Sequence, residues 1–103
     1  MSRRARPPIW YNKTKSIAKS YRAMLKKEEH TEREKQEMEA IAGALQWIGE
    51  QPDGVSKAAA MRGTYIDGKP LYLAAEAAGY TLSGIKRTHR RFLTKIAENL
   101  GYL

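Results

Sequence analysis

The chain has 103 residues, a formal net charge of +8 and no cysteine. That length suits one small domain, burying about 60–65% of its unfolded surface. The missing cysteines remove disulfides, thiolate metal sites and cysteine nucleophiles together, in keeping with a reducing cytoplasm. No apolar run approaches the ~18 residues of a membrane span, and no hydrophobic region follows the basic start MSRRARPPIWYNK, as a signal peptide requires.

Charge is segregated along the chain. Residues 1–27 hold nine Lys/Arg and no acid, residues 28–55 eight acids against two bases, and residues 56–103 eight bases against three acids. Two basic ends around an acidic middle suit a polyanion, since each neutralised phosphate releases condensed counterions. The competing reading is a charge that serves solubility alone.

Residues 1–12 are rich in Arg and Pro and are expected to be extended or disordered, so residues 1–13 are read as a basic flexible arm. Within it, Trp10 and Tyr11 are suited to stacking on bases or, more simply, to packing against the domain. From about Thr14, Ile17, Tyr21, Met24 and Leu25 recur at helical spacing, among Lys15, Lys19, Arg22, Lys26 and Lys27. The stretch HTERE then offers a capping box between Thr31 and Glu34. A second helix from about Glu32 would bury Met38, Ile41, Ala42, Leu45 and Ile48, place Trp47 at its border and stop at Gly49 or just before Pro52. One unbroken helix from 14 to 49 with a polar waist is the alternative. The alternating charges of 26–39 read as a solvated face with i,i+4 pairs.

QPDGV is a turn by its chemistry. Ser56 is placed to cap a short helix from Lys57 to about Thr64, with Ala60, Met61 and Tyr65 inward. IDGKP turns again around Gly68. A second short helix runs from Leu71 to Ala78 and ends at Gly79; a last helix follows Thr81 and continues to about Leu100, with Gly101 as its stop. No useful period-two alternation exists, so the fold class is all-α. The chain divides into the arm (1–13), a helical segment with an oligomerising role in view (14–50), and a C-terminal unit (54–103).

A short helix, a glycine turn and a longer basic helix form helix-turn-helix grammar. Ala75 belongs where the two helices cross. Gly79 supplies the left-handed turn, Tyr80 plugs the space beneath it, and Thr81 caps the next helix. Ile85 packs back, with Leu73 or Ala74 and Ala78 completing the inner face. Leu82, Ser83, Lys86, Arg87 and Arg90 are left on the outer face. Lys86 and Arg87 match guanine O6/N7, while Arg90, Arg91 and Lys95 match phosphates. His89, among these bases, fits a groove or phosphate contact as well as a neutral surface position. The candidate DNA-binding set is therefore Thr81, Leu82, Ser83, Lys86, Arg87, His89, Arg90, Arg91 and Lys95. Gly84 and Thr88 depart from the pattern, the first by lowering helix propensity, the second by standing where an aliphatic residue is usual.

The stretch MRGTYIDGKPLYLAAEAAGYTLSGIKRTHRRFLTKIAENLGYL resembles region 4 of the sigma-70 group and the phage late-transcription regulators of the ArpU/RinA type. Arg62, Tyr65 and Gly68 match the family's arginine–x–x–tyrosine and glycine. Ala74-Ala75, Gly79-Tyr80-Thr81 and Ile85-Lys86-Arg87 match its alanine helix, turn and recognition segment. The resemblance implies double-stranded DNA as partner, RNA polymerase as a candidate second partner, and the cytoplasm of a bacterial host. It lacks a counterpart of the promoter-melting region, so a complete sigma factor is excluded. Specificity would then call for a dimer, a repeated site or polymerase. Alternatives are a phage small terminase subunit and a protein-interaction module using the same basic face. RNA also stays open, since charge alone does not separate it from DNA.

An enzyme is not expected. The carboxylates cluster on one charged helix without His or Cys partners, and neither a phosphate loop nor a metal-ligand constellation is present, so no cofactor or metal is assigned.

Overall fold

The computed structural model describes residues 9–103, which form five α-helices. Residues 1–8, the start of the expected basic arm, lie outside the described residues. The helices are α1 (Ile9–Lys26), α2 (Glu32–Gly49), α3 (Gly54–Tyr65), α4 (Leu71–Ala77) and α5 (Leu82–Asn99). The all-α class follows directly, and no described helix is long and apolar enough to cross a membrane.

α1 begins five residues earlier than its apolar stripe suggests. Proline is barred from a helix interior but not from a first turn, so Pro7-Pro8 need not hold back a helix starting at Ile9. Residues 9–13 are therefore helical rather than part of a flexible arm. The buried row is Thr14, Ile17, Ala18, Tyr21 and Met24, whereas Leu25 is largely exposed. α1 ends where sequence chemistry breaks it. His30 folds back so that its Nε2 meets the Met24 carbonyl, which also accepts from Lys27 N–H at 3.2 Å.

The capping box forms in full. Glu34 N–H donates to Thr31 Oγ1 at 3.1 Å, and Thr31 N–H donates to Glu34 Oε1 at 3.0 Å. Lys27, across the break, holds the same carboxylate at 2.7 Å. α2 then buries Glu37, Ala40, Ile41, Ala44, Leu45 and Ile48. Ala42, expected inside, is exposed because it lies about 100° around the helix from this row.

α3 starts at Gly54 rather than beyond a Ser56 cap. Asp53 takes a left-handed φ of 58° and turns the chain tightly against the end of α2. A Cβ at Gly54 would collide with the carbonyl oxygens of Ile48 and Gly49, so glycine is required there.

Every helix contributes to one core. Ile17, Tyr21 and Met24 of α1 and Ile41, Leu45 and Ile48 of α2 pack with Ala60, Met61 and Tyr65 of α3, Ala75 of α4, and Ile85, Phe92, Leu93 and Ile96 of α5. α5 lies at its centre and packs against each of the other four helices. The 14–50 segment and the 54–103 unit, expected as separate parts, thus share their interior. The apolar rows of α1 and α2 face this shared core and pack against α5.

Candidate functional site

The site is built from α4, its turn and the first half of α5. α4 is short, and small side chains let it sit close: a Cβ on Gly63 of α3 would come within 2.9 Å of the Ala74 Cβ. Ala74 and Ala75 are buried, Ala78 is half-buried and Leu73 points largely outward. At the end of α4, Tyr80 N–H donates to Ala75 O at 2.8 Å and Gly79 N–H to Glu76 O at 3.0 Å. These paired bonds close a Schellman turn, with Gly79 at φ 88° supplying the left-handed residue. Nothing lies within 4 Å of a Cβ built on Gly79, so glycine serves conformation there and not space.

Tyr80 is half-buried beneath the turn, and its hydroxyl donates to Asp53 in the α2–α3 turn. Thr81 caps α5, accepting from Gly84 N–H at 3.0 Å. Ile85 follows, fully buried. Thr88 takes its inward place at 7% exposure, and Phe92, Leu93 and Ile96 carry the packing onward.

On the opposite side of α5, Ser83, Lys86, Arg87 and Arg90 line up at i, i+3, i+4 and i+7, all exposed. Leu82 is exposed beside them. Among the described residues, no carboxylate lies within 4.0 Å of Lys86, Arg87, Arg90 or Arg91. Arg90 sits 5.8 Å from the ring centre of Tyr11 on α1, a cation–π distance that fixes where the guanidinium stands.

Three members of the predicted set stand apart from this row. Arg91 and Lys95 lean toward α2, 5.9 and 5.2 Å from the Trp47 ring centre, and Lys95 also pairs with Glu98 at 3.7 Å. His89 faces inward. Its Nε2 meets the Tyr65 hydroxyl, and burial, with Lys15 and Lys19 nearby, lowers its pKa to about 4. The imidazole is partly buried and turned toward Tyr65, away from the row of Ser83, Lys86, Arg87 and Arg90.

The basic residues of α1 were read as surroundings of an apolar stripe. Lys15, Lys19 and Arg22 in fact share one side of α1 and line a cavity with His89 and Gly68. Their i, i+4, i+7 spacing was visible in the sequence, whereas the turn and the histidine they face come from distant positions.

Comparison with known protein families, with curated proteins and with solved structures gives no match for this chain.

Proposed function

We propose that the protein is a sequence-specific DNA-binding regulator of transcription, of phage or prophage type, whose α5 docks in the major groove as the second helix of a helix-turn-helix. The observation that carries this reading is the row Ser83, Lys86, Arg87 and Arg90: exposed, without carboxylate partners among the described residues, and held at the N-terminal end of α5 by the Thr81 cap and the Gly79 turn. A helix of this kind presents its first turns to base edges. Lys86 and Arg87 reach toward guanine O6/N7, and Arg90, stacked on Tyr11, reaches a phosphate. α4 braces the recognition helix across the backbone. Arg91 and Lys95, turned toward Trp47, contribute long-range attraction more than direct contact.

Backbone amide shifts during titration with a short duplex test the docking mode. Changes concentrated at Thr81–Arg91, with the buried face of α5 and the exposed face of α2 unmoved, support it. Changes confined to α2, or none, overturn it.

A further inference from the structure

A second basic feature lies away from the outer face of α5. α1, the turn after α3, the start of α4 and His89 of α5 border an open cavity of about 530 Å³. Lys15, Lys19 and Arg22 enter it from α1 and Lys69 from the turn. None of these four has a carboxylate within 4.0 Å among the described residues, and no acid is among the residues lining the cavity. Arg22 lies directly over Gly68, whose φ of 76° lets the backbone pass beneath the guanidinium; any side chain there would strike it. Four cations line one space with no anion among the described residues to balance them, an arrangement whose field favours an anionic ligand.

The cavity's other surfaces complete the description. Thr64 lines it, and its buried Oγ1 has no hydrogen-bond partner among the described residues, although buried hydroxyls ordinarily find one. The Tyr65–His89 pair lies at the cavity, and Pro70 and Leu71 give it an apolar wall. Cations, an unpaired hydroxyl and an adjoining apolar wall form the donor set of a phosphate ester site. Lys19, Arg22 and Lys69 are exposed, whereas Lys15, Thr64, Leu71 and His89 are partly buried, so the space opens to solvent on the cationic side and narrows toward its apolar wall. A small ligand with a terminal phosphate reaches such a space more readily than a backbone phosphodiester does.

We propose that this cavity binds the phosphate group of a small organic phosphomonoester, held by Lys15, Lys19, Arg22 and Lys69, with its carbon skeleton against Pro70 and Leu71. The site is independent of the DNA-binding reading, since it uses none of Ser83, Lys86, Arg87 or Arg90.

The test is an amide-shift titration of the intact protein, first with inorganic phosphate and then with adenosine monophosphate, at constant ionic strength and without DNA. Saturable shifts at Thr64, Gly68 and His89 are expected, with the nucleotide tighter than phosphate. Arg22→Gln, at an exposed position outside the core, should weaken binding about ten-fold or more by removing a charge-assisted contact. Thr64→Val should weaken it less, and Arg87→Gln should leave it unchanged. Shifts that never reach a plateau, or that fall equally in Arg22→Gln and Arg87→Gln, mean diffuse charge attraction and overturn the proposal. Adding duplex DNA to the nucleotide-loaded protein separates the sources of phosphate. Retention of the nucleotide supports the small-ligand site, and its competitive displacement would assign the cavity to the DNA backbone instead.

Discussion

The rings of Tyr65 on α3 and His89 on α5 lie parallel, 10° apart in plane and 5.7 Å between centres, with the Tyr65 hydroxyl at His89 Nε2. Phe92 tilts against the same tyrosine at 5.4 Å, so the pair is fastened to the middle of the core. Burial pushes the Tyr65 phenol well above its ordinary range and His89 down to about 4. Both groups are therefore neutral at physiological pH, and each completes the other's hydrogen bonding.

That pair predicts an acid-side instability. An unfolded histidine takes up its proton near pH 6.5, the folded His89 only near 4. Above pH 6.5 neither state binds the proton. As pH falls from 6.5 to 4, the unfolded chain gains a proton that the fold refuses, and stability drops by up to about 1.4 kcal/mol per unit. Thermal melts across this window should show a falling midpoint for the native sequence and a flatter profile for His89→Gln. Equal slopes for the two would mean that His89 is not the group responsible.

The Thr31–Glu34 box acts lower on the scale. Lys27, then the Thr31 N–H, hold the Glu34 carboxyl down to about 2. Its contribution is complete above pH 4.5 and is lost as pH falls toward 2. Glu34→Gln should remove that lower-pH loss while leaving the His89 window intact. Thr31→Ala and Thr81→Ala should each lower stability by about 1 kcal/mol, and Thr→Ser should restore most of it. Only the Thr81 change should also weaken DNA binding, because it alone frays the helix that carries Lys86 and Arg87.

Two glycines near α4 should respond differently to substitution. Gly63→Ala forces a Cβ to within 2.9 Å of the Ala74 Cβ, so α3 and α4 must separate. A cost of about 1–3 kcal/mol is expected from such overpacking. Gly79→Ala meets open space and suffers only the left-handed backbone, about 1–2 kcal/mol. Gly79→Asn should therefore be milder than Gly79→Ala, whereas Gly63→Asn should be worse than Gly63→Ala. Urea denaturation of the four variants distinguishes the mechanisms.

Local chemistry made most of the helices legible. Thr31, Gly79, Thr81 and Gly101 each act within a few residues, and each stands at the boundary its side chain or backbone freedom implies. What the sequence concealed depends on partners far along the chain. Tyr80 reaches Asp53, and His89 turns to Tyr65 rather than outward, though helical spacing puts it among bases. The covering of α5 by α1 and α2 was hidden for the same reason: an amphipathic stripe shows that a face is buried, but not against what. Leu82, Ser83, Lys86, Arg87 and Arg90 were placed by periodicity alone on the side that the packing leaves open.

The most direct measurement of the central claim is fluorescence anisotropy of duplex DNA binding across a salt series, comparing the native protein with Lys86→Ala/Arg87→Ala/Arg90→Ala. These positions are exposed, so the fold should survive the change. The slope of log affinity against log salt should shrink by up to about three if all three neutralise phosphates, and by about one with a loss of sequence discrimination if Lys86 and Arg87 read bases. An unchanged affinity and slope in the triple variant, or no salt-dependent binding by the native protein, would contradict the assignment of this face to DNA.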